Sequence, residues 1–450
     1  MQENKNLILK KEDTSNITLI IAYFFTSCIL TVPSVIYLIH NKTIYKFIQL
    51  FSFTYAGLNA YVETTIYIIT LIILFSLYFI ILKKCNKLFK TSKSLIIFIL
   101  CIGILFSIII PTTSLDAYSY IGNGWVDSHY HENPYYTPVQ EILDNKGFDE
   151  MLGKVAKCWR VETVIYGPAW SLICKVLTMF SLGKITNALY IFKFTFLSVF
   201  MGCNILIYKI TKKKFWACLF GLNPFILFEF LSNVHNDIFL VFFILLAIYF
   251  IKIKKNIALA VASLAIATAM KYLSILLVPF ILIYALKDEN LKNRIKMTVI
   301  YAIEFCLIIL AFYLIYVRDL QVLKGIFIQQ NKYGRSIALA LWYFVNGNQQ
   351  VLSAIKIISL IIFAVSYITI VGKLFFSNNI KELTFNKTIR TYQIFLIVFT
   401  FILITNFNSW YIVWLFPTLM WQKAKNIRTT LYLSLGVLNS YAITYATRSR

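Results

Sequence analysis

Acidic side chains are scarce in this 450-residue chain: 19 Asp and Glu stand against 43 Lys and Arg, and only 14% of residues are charged. With 59% of the residues apolar, a water-soluble fold of this size could not cover its apolar surface. There are eight cysteines but no CxxC pair, and most lie in apolar runs. That excludes a disulfide framework and a zinc site, and leaves the cysteines as small hydrophobes. No A-x-A-like cleavage site follows the long first apolar run, which reads as an uncleaved anchor. Neither an internal repeat nor a low-complexity segment is visible. Charges are also rare inside the apolar runs, which argues against a proton or ion path through them.

What is present is a succession of apolar runs of membrane-spanning length, such as residues 17–39, 188–210 and 297–316. The fold class predicted is all-α: a polytopic transmembrane helix bundle, with residues 1–450 forming one domain. The net charge of +24 would suggest nucleic acid in a soluble protein, but here the lysines form short clusters between apolar runs. The pattern is that of cytoplasmic loops, and nucleic acid is not an expected partner.

Lys5, Lys10 and Lys11 place the N-terminus in the cytoplasm. Spans at 17–39, 64–82 and 95–110 then leave a large first loop outside. If residues 165–181 also spanned, Lys212, Lys213 and Lys214 would emerge on the wrong side. Laid along the outer interface as a juxtamembrane helix, they restore the pattern downstream. This threading gives about thirteen spans, with an extracytoplasmic loop at 111–187. Two short spans, 257–270 and 273–286, form a hairpin that brings Lys271 to the outer surface.

The scarce acids then fall into place. Eight of the 19 lie between 111 and 163, beside the stretch SLDAYSYIGNGWVDSHYHENPYYTP at 114–138. Further polar clusters emerge on the same side: SNVHND at 232–237, MKY at 270–272, RDLQVLKG at 318–325, NKYGR at 331–335 and NFNSWY at 406–411. Asp116, at the edge of the loop, suits a general base in a partly desolvated setting, and equally suits a helix cap. His235, Asn236 and Asp237 open a span and read either as caps or as polar groups that touch a sugar, a phosphate or a metal. His129 and His131, spaced i, i+2 with Glu132 beside them, read either as a weak metal site or, in preference, as solvated loop residues. Lys271 either snorkels to lipid headgroups or holds a phosphate, with Arg318, Lys332 and Arg335 as helpers. Trp410, Tyr411 and Trp414 form an interfacial aromatic belt or a stacking surface for a sugar ring.

These motifs, in order, resemble the polyprenyl-phosphate-mannose-dependent mannosyltransferases of bacterial envelopes, within the glycosyltransferase C superfamily. The resemblance rests on Asp116, Tyr118, Ser119, Tyr120 and Gly122, on Asn133, Pro134 and Tyr135, on Tyr166, Gly167 and Pro168, and on His235, Asn236 and Asp237. Lys271, Pro279 and WYIVW near the C-terminus also fit. It implies a first outer loop carrying an acidic catalytic residue and juxtamembrane helices, and a lipid-linked sugar donor.

The expected function is transfer of a hexose, mannose or another, from a polyprenyl-phosphate carrier to a glycan, lipid or protein acceptor. The site would lie on the extracytoplasmic face of the cell membrane, and single displacement would invert the anomeric centre. Asp116 is the expected base. Lys271, Arg318 and Arg335 would answer the phosphate. Tyr118, Tyr120, Asn133, Tyr135, Tyr166, His235, Asn236, Asp237, Trp410 and Tyr411 would position the substrate. No cofactor is required on this reading, although Asp116 with Asp237 could hold Mg²⁺ or Mn²⁺. The alternative is a transporter or flippase of lipid-linked precursors, which would call for repeat symmetry and a polar path.

Overall fold

The computed structural model describes residues 14–31, 60–111, 114–325, 336–424 and 426–436, with the backbone alone at 60–67. Every regular element among them is helical. Among the described residues, five helices are long and apolar enough to cross a membrane: Thr14–Thr31, Ile68–Leu88, Ile185–Thr211, Leu291–Tyr313 and Gln349–Phe375. The last has 27 residues, about 40 Å at 1.5 Å per residue, and no residue of its most apolar stretch is buried in the protein. So long an uncovered apolar surface fits hydrocarbon and not water.

The expected count of about thirteen spans is not confirmed by these helices. That count rested on the length of the apolar runs and the side on which the lysine clusters emerge, and several runs are broken. Lys214–Gly221 and Pro224–Ser232 meet at a 51° bend and count as one span at most. The run from Ile257 stops at Met270, and Lys271 is extended (φ −151°, ψ 117°) before a 3₁₀ turn at Tyr272–Leu277 and a helix at Val278–Ala285. Part of the first predicted span, at 32–39, lies outside the described residues. The proposed juxtamembrane segment contains the helix Pro168–Met179, whose 12 residues cover about 18 Å, too little to cross a bilayer.

The chain divides into two compact units. The first comprises Met1–Ala117, Tyr190–Ile238 and Arg428–Arg450. Its bend follows from Asn223-Pro224: proline lacks the N–H that would continue the helix, and the Asn223 side chain caps Phe225 instead. The carbonyls freed there are met by tyrosines: Tyr23 donates to Leu222 O at 2.6 Å and Tyr78 to Leu219 O at 2.7 Å. After the bend the chain forms a π turn, Phe228–Ser232. Such i→i+5 turns re-aim side chains and recur at functional sites.

The second unit comprises Tyr118–Leu189 and Phe239–Ile427. In it, the body of the Asp116–Ser128 helix lies directly against the Pro168–Met179 helix. A Cβ at Gly124 would stand 2.5 Å from the Cys174 carbonyl oxygen, so only glycine permits this approach. The segment between the two helices is fixed by its own polar groups. Asp149 accepts hydrogen bonds from Trp125 Nε1, the Tyr130 hydroxyl and the backbone of Met151 and Leu152. Burial alone would raise the Asp149 carboxyl; these donors prevail and hold it below its ordinary range. Asp127 is buried between Lys175 Nζ at 2.7 Å and the Tyr316 hydroxyl at 2.8 Å.

Candidate active site

The first unit gathers three titratable side chains. His235 is fully buried; its Nδ1 lies 3.3 Å from Asp116 Oδ2 and its Nε2 lies 3.3 Å from Glu229 Oε2. Asp116 is the accessible end, with 16% of its side chain exposed, and Glu229 is fully buried. The order from solvent inward is therefore carboxylate, imidazole, carboxylate.

Local structure explains each position. Asp116 opens its helix, but the capping oxygen there is Ser114 Oγ, which accepts the Asp116 N–H at 3.2 Å. The Asp116 carboxylate thus meets the imidazole from a first helical turn, where a negative charge is favoured. Glu229 stands in the π turn. His235 follows Val234, a β-branched residue held at φ 63°. A left-handed backbone costs such a residue about 1–2 kcal/mol. The turn it makes lets the His235 N–H donate to Glu229 O at 3.1 Å, and Asn233 Nδ2 reaches Glu229 Oε2 at 3.4 Å. Strain and hydrogen bonds together aim the imidazole between the two acids.

Burial by itself would push the His235 imidazole down; the hydrogen bonds and charges of Asp116 and Glu229 outweigh it and raise it from 6.5 to about 9. His235 is therefore an imidazolium at neutral pH, and both of its nitrogens are donors. Its Nδ1 faces one carboxylate oxygen of Asp116, Oδ2.

The second unit holds a different arrangement, around Lys271. The ammonium stands 4.8 Å from the centre of the Tyr411 ring, 5.1 Å from Trp414 and 6.0 Å from Tyr166. Tyr411 and Trp414 stack at 4.1 Å with 17° between their planes. The cause is their element: Ser409–Trp421 is a 3₁₀ helix, in which residues i and i+3 eclipse. Trp410 meets Tyr411 edge-on at 6.0 Å. Tyr166 arrives through the Tyr166-Gly167-Pro168 turn. Its Gly167 N–H donates to Met270 O at 3.0 Å, and a side chain at 167 would collide with the Ala269 carbonyl. At these distances aromatic rings attract a cation.

The other expected site residues are placed as follows. Tyr120 is buried, edge-on to Tyr166 and Trp170, its hydroxyl 3.3 Å from that of Tyr166. Tyr118 is half-buried on the same helix. Tyr135 is buried and donates to Tyr166 O at 2.7 Å; Asn133 donates to Tyr316 O at 2.7 Å and accepts from Tyr135 N. The polar atoms of these last two hold the protein's own backbone. Arg318 is exposed, with its guanidinium 5.4 Å from the Tyr136 ring. Asn236 and Asp237 are buried. Lys332 and Arg335 lie outside the described residues. His129 stacks on Trp125 at 4.2 Å, and among the described residues no three His, Cys, Asp or Glu side chains are grouped to hold a metal ion. Glu229 was missed from the sequence. The signal was there: an acid inside the apolar run NPFILFEFLS has a reason to exist.

Together these features define a class: a helical membrane protein with a carboxylate–imidazole–carboxylate cluster at the end of a broken span. Within that class, the family model described as "Alpha-(1->6)-mannopyranosyltransferase, N-terminal domain" matches residues 24–287, more than half of the chain. The chain belongs to this family and is a membrane glycosyltransferase. No curated protein and no solved structure matches it.

Proposed function

We propose that the protein transfers mannose, or a closely related hexose, from a polyprenyl-phosphate carrier to an acceptor hydroxyl at the extracytoplasmic face of the cell membrane. The acceptor is an envelope glycan, lipid or protein. The observation that carries the reading is the Asp116–His235–Glu229 cluster in a chain of the mannopyranosyltransferase family.

In the reaction, the acceptor oxygen attacks the anomeric carbon as the bond from that carbon to the phosphate oxygen breaks. The electron pair leaves with the polyprenyl phosphate, and the anomeric centre inverts. Asp116 takes the hydroxyl proton on the oxygen that the imidazolium does not hold. His235 keeps the carboxylate in one orientation, and Glu229 behind it keeps the imidazole charged. The polyprenyl tail stays among the apolar helices. No step needs a metal; Asp116 with Asp237 as a Mg²⁺ or Mn²⁺ site remains a separate proposal, and retained transfer in EDTA would end it. Membership of the family does not favour the flippase alternative.

Asp116→Asn tests the assignment, because it keeps the shape and removes the base. The purified protein in lipid nanodiscs is offered a panel of polyprenyl-phosphate sugars and simple glycoside acceptors. Wild type should consume one donor, and the variant should be slower by a factor of about 10² or more. Wild-type rates in the variant would sink the base; consumption of no donor would sink the function.

A further inference from the structure

A fully buried lysine is left unused by the mechanism. Lys193, in the Ile185–Thr211 helix, is fully buried. Its Nζ donates to three main-chain carbonyls: Ile109 O at 2.6 Å, Ser232 O at 2.8 Å and Leu231 O at 3.0 Å. An ammonium has three donors, and here each meets an acceptor. The acceptors are not random. Ile109 follows the last residue of the Ser92–Ile108 helix, and Leu231 and Ser232 end the π turn. Helix ends leave such carbonyls without intrahelical partners, and in an apolar setting each would cost free energy.

Both ends lead to the cluster. The π turn carries Glu229, and Ser232 is three residues before His235. Ile109 is seven residues before Asp116. We propose that Lys193 is a positioning residue: it clamps the segment that carries Glu229 and His235 to the segment that leads into Asp116, and so sets the carboxylate–imidazole contact. The inference rests on the reading of Asp116 as base. It does not follow from capping in general. Arg294 makes a similar set of bonds in the second unit, to Leu286 O, Glu289 O and Phe375 O, and none of these leads into the cluster.

The test uses full-length protein in nanodiscs and Lys193→Met, which keeps the length and removes charge and donors. In transfer assays, kcat should fall at least tenfold while KM for the donor stays within twofold. Glu229→Gln acts through the same imidazole. The double variant should therefore lose no more than about twice what the worse single variant loses, whereas independent structural defects would multiply. A second readout needs no turnover. In ¹⁵N-histidine spectra, the His235 signals, assigned with His235→Gln, should shift and broaden in Lys193→Met and stay put in Arg294→Met. If wild type consumes no donor, the spectra still decide on the clamp. Should Lys193→Met not fold, Lys193→Gln, with two N–H donors, carries the same tests. Unchanged kcat, multiplying losses or an unmoved His235 signal in a folded variant would each overturn the proposal.

Discussion

The charge on His235 can be measured directly. An isolated imidazole titrates near 6.5, and His235 is raised to about 9. That difference corresponds to about 3 kcal/mol of extra binding of the proton in the folded protein. The sign follows from the direction. Because the folded value is the higher one, the imidazolium stabilises the fold fully below pH 6.5, and this contribution is lost as pH rises through about 9. Removing one carboxylate should lower the midpoint, since an opposite charge at this distance is worth roughly 1–3 pH units. Glu229→Gln is the cleaner perturbation, because it leaves the accessible Asp116 in place. With four histidines in the chain, ¹⁵N-histidine NMR in micelles between about pH 5 and 11 can follow each one, and His235→Gln identifies the signal. Wild-type His235 should titrate near 9, and Glu229→Gln should bring it down by about 1–2 units. A wild-type midpoint near 6.5, or no movement in the variant, would refute the shared imidazolium.

Three further outcomes follow from the same geometry. Gly167 has an ordinary φ of −71°, so alanine there meets no backbone strain; it meets the Ala269 carbonyl, and Gly167→Ala should lose about 1–3 kcal/mol, seen as a lower unfolding temperature. Asp149 is held below its ordinary range, so its contribution is present above the unfolded value and lost as pH falls through the folded one. Asp149→Asn should flatten the acid limb of stability below about pH 4, read by tryptophan fluorescence, and an unchanged limb would remove Asp149 from the account. Lys271→Met should raise KM for a polyprenyl-phosphate donor by about tenfold or more if the ammonium binds phosphate, as a hydrogen bond to a charged group is worth about 1.5–3 kcal/mol; an unchanged KM would return Lys271 to a role among its rings.

Much of the candidate site was legible because chemistry-bearing residues stand out against an oily background. Asp116 and His235 lie in polar stretches, DAYSY and NVHND, and the structure brings them within 3.3 Å. Lys271 interrupts an apolar run, and the chain does break there. What could not be read was anything set by a change of helical period. The π turn aims Glu229 at a histidine six residues later, a spacing no α-helix pairs, and the 3₁₀ segment eclipses residues i and i+3, which stacks Tyr411 directly on Trp414. Nor does apolarity record a bend, such as the 51° break between Lys214–Gly221 and Pro224–Ser232.

The cations show a second limit of reading charge by rule. Lysine and arginine between apolar runs were taken as a topology signal. In the structure many of them finish helices. Lys214 donates to the carbonyls of Phe89 and Lys90, Lys287 to those of Lys381 and Leu383, and Arg390 to that of Trp421. Each acceptor lies at or just beyond the end of a helical segment. The need is physical. A span broken into short pieces exposes more carbonyl ends, and hydrocarbon offers them no donor. A long flexible cation reaches such an end, satisfies it and complements the negative end of the helix. One residue type therefore answers two demands, and sequence position does not separate them. Lys193 is the case in which they part. It sits inside an apolar helix, where loop charge has no meaning, and its three acceptors end the segments that lead to Asp116 and His235. A lone charge within an apolar run is better read as a bond already made than as a signal of orientation.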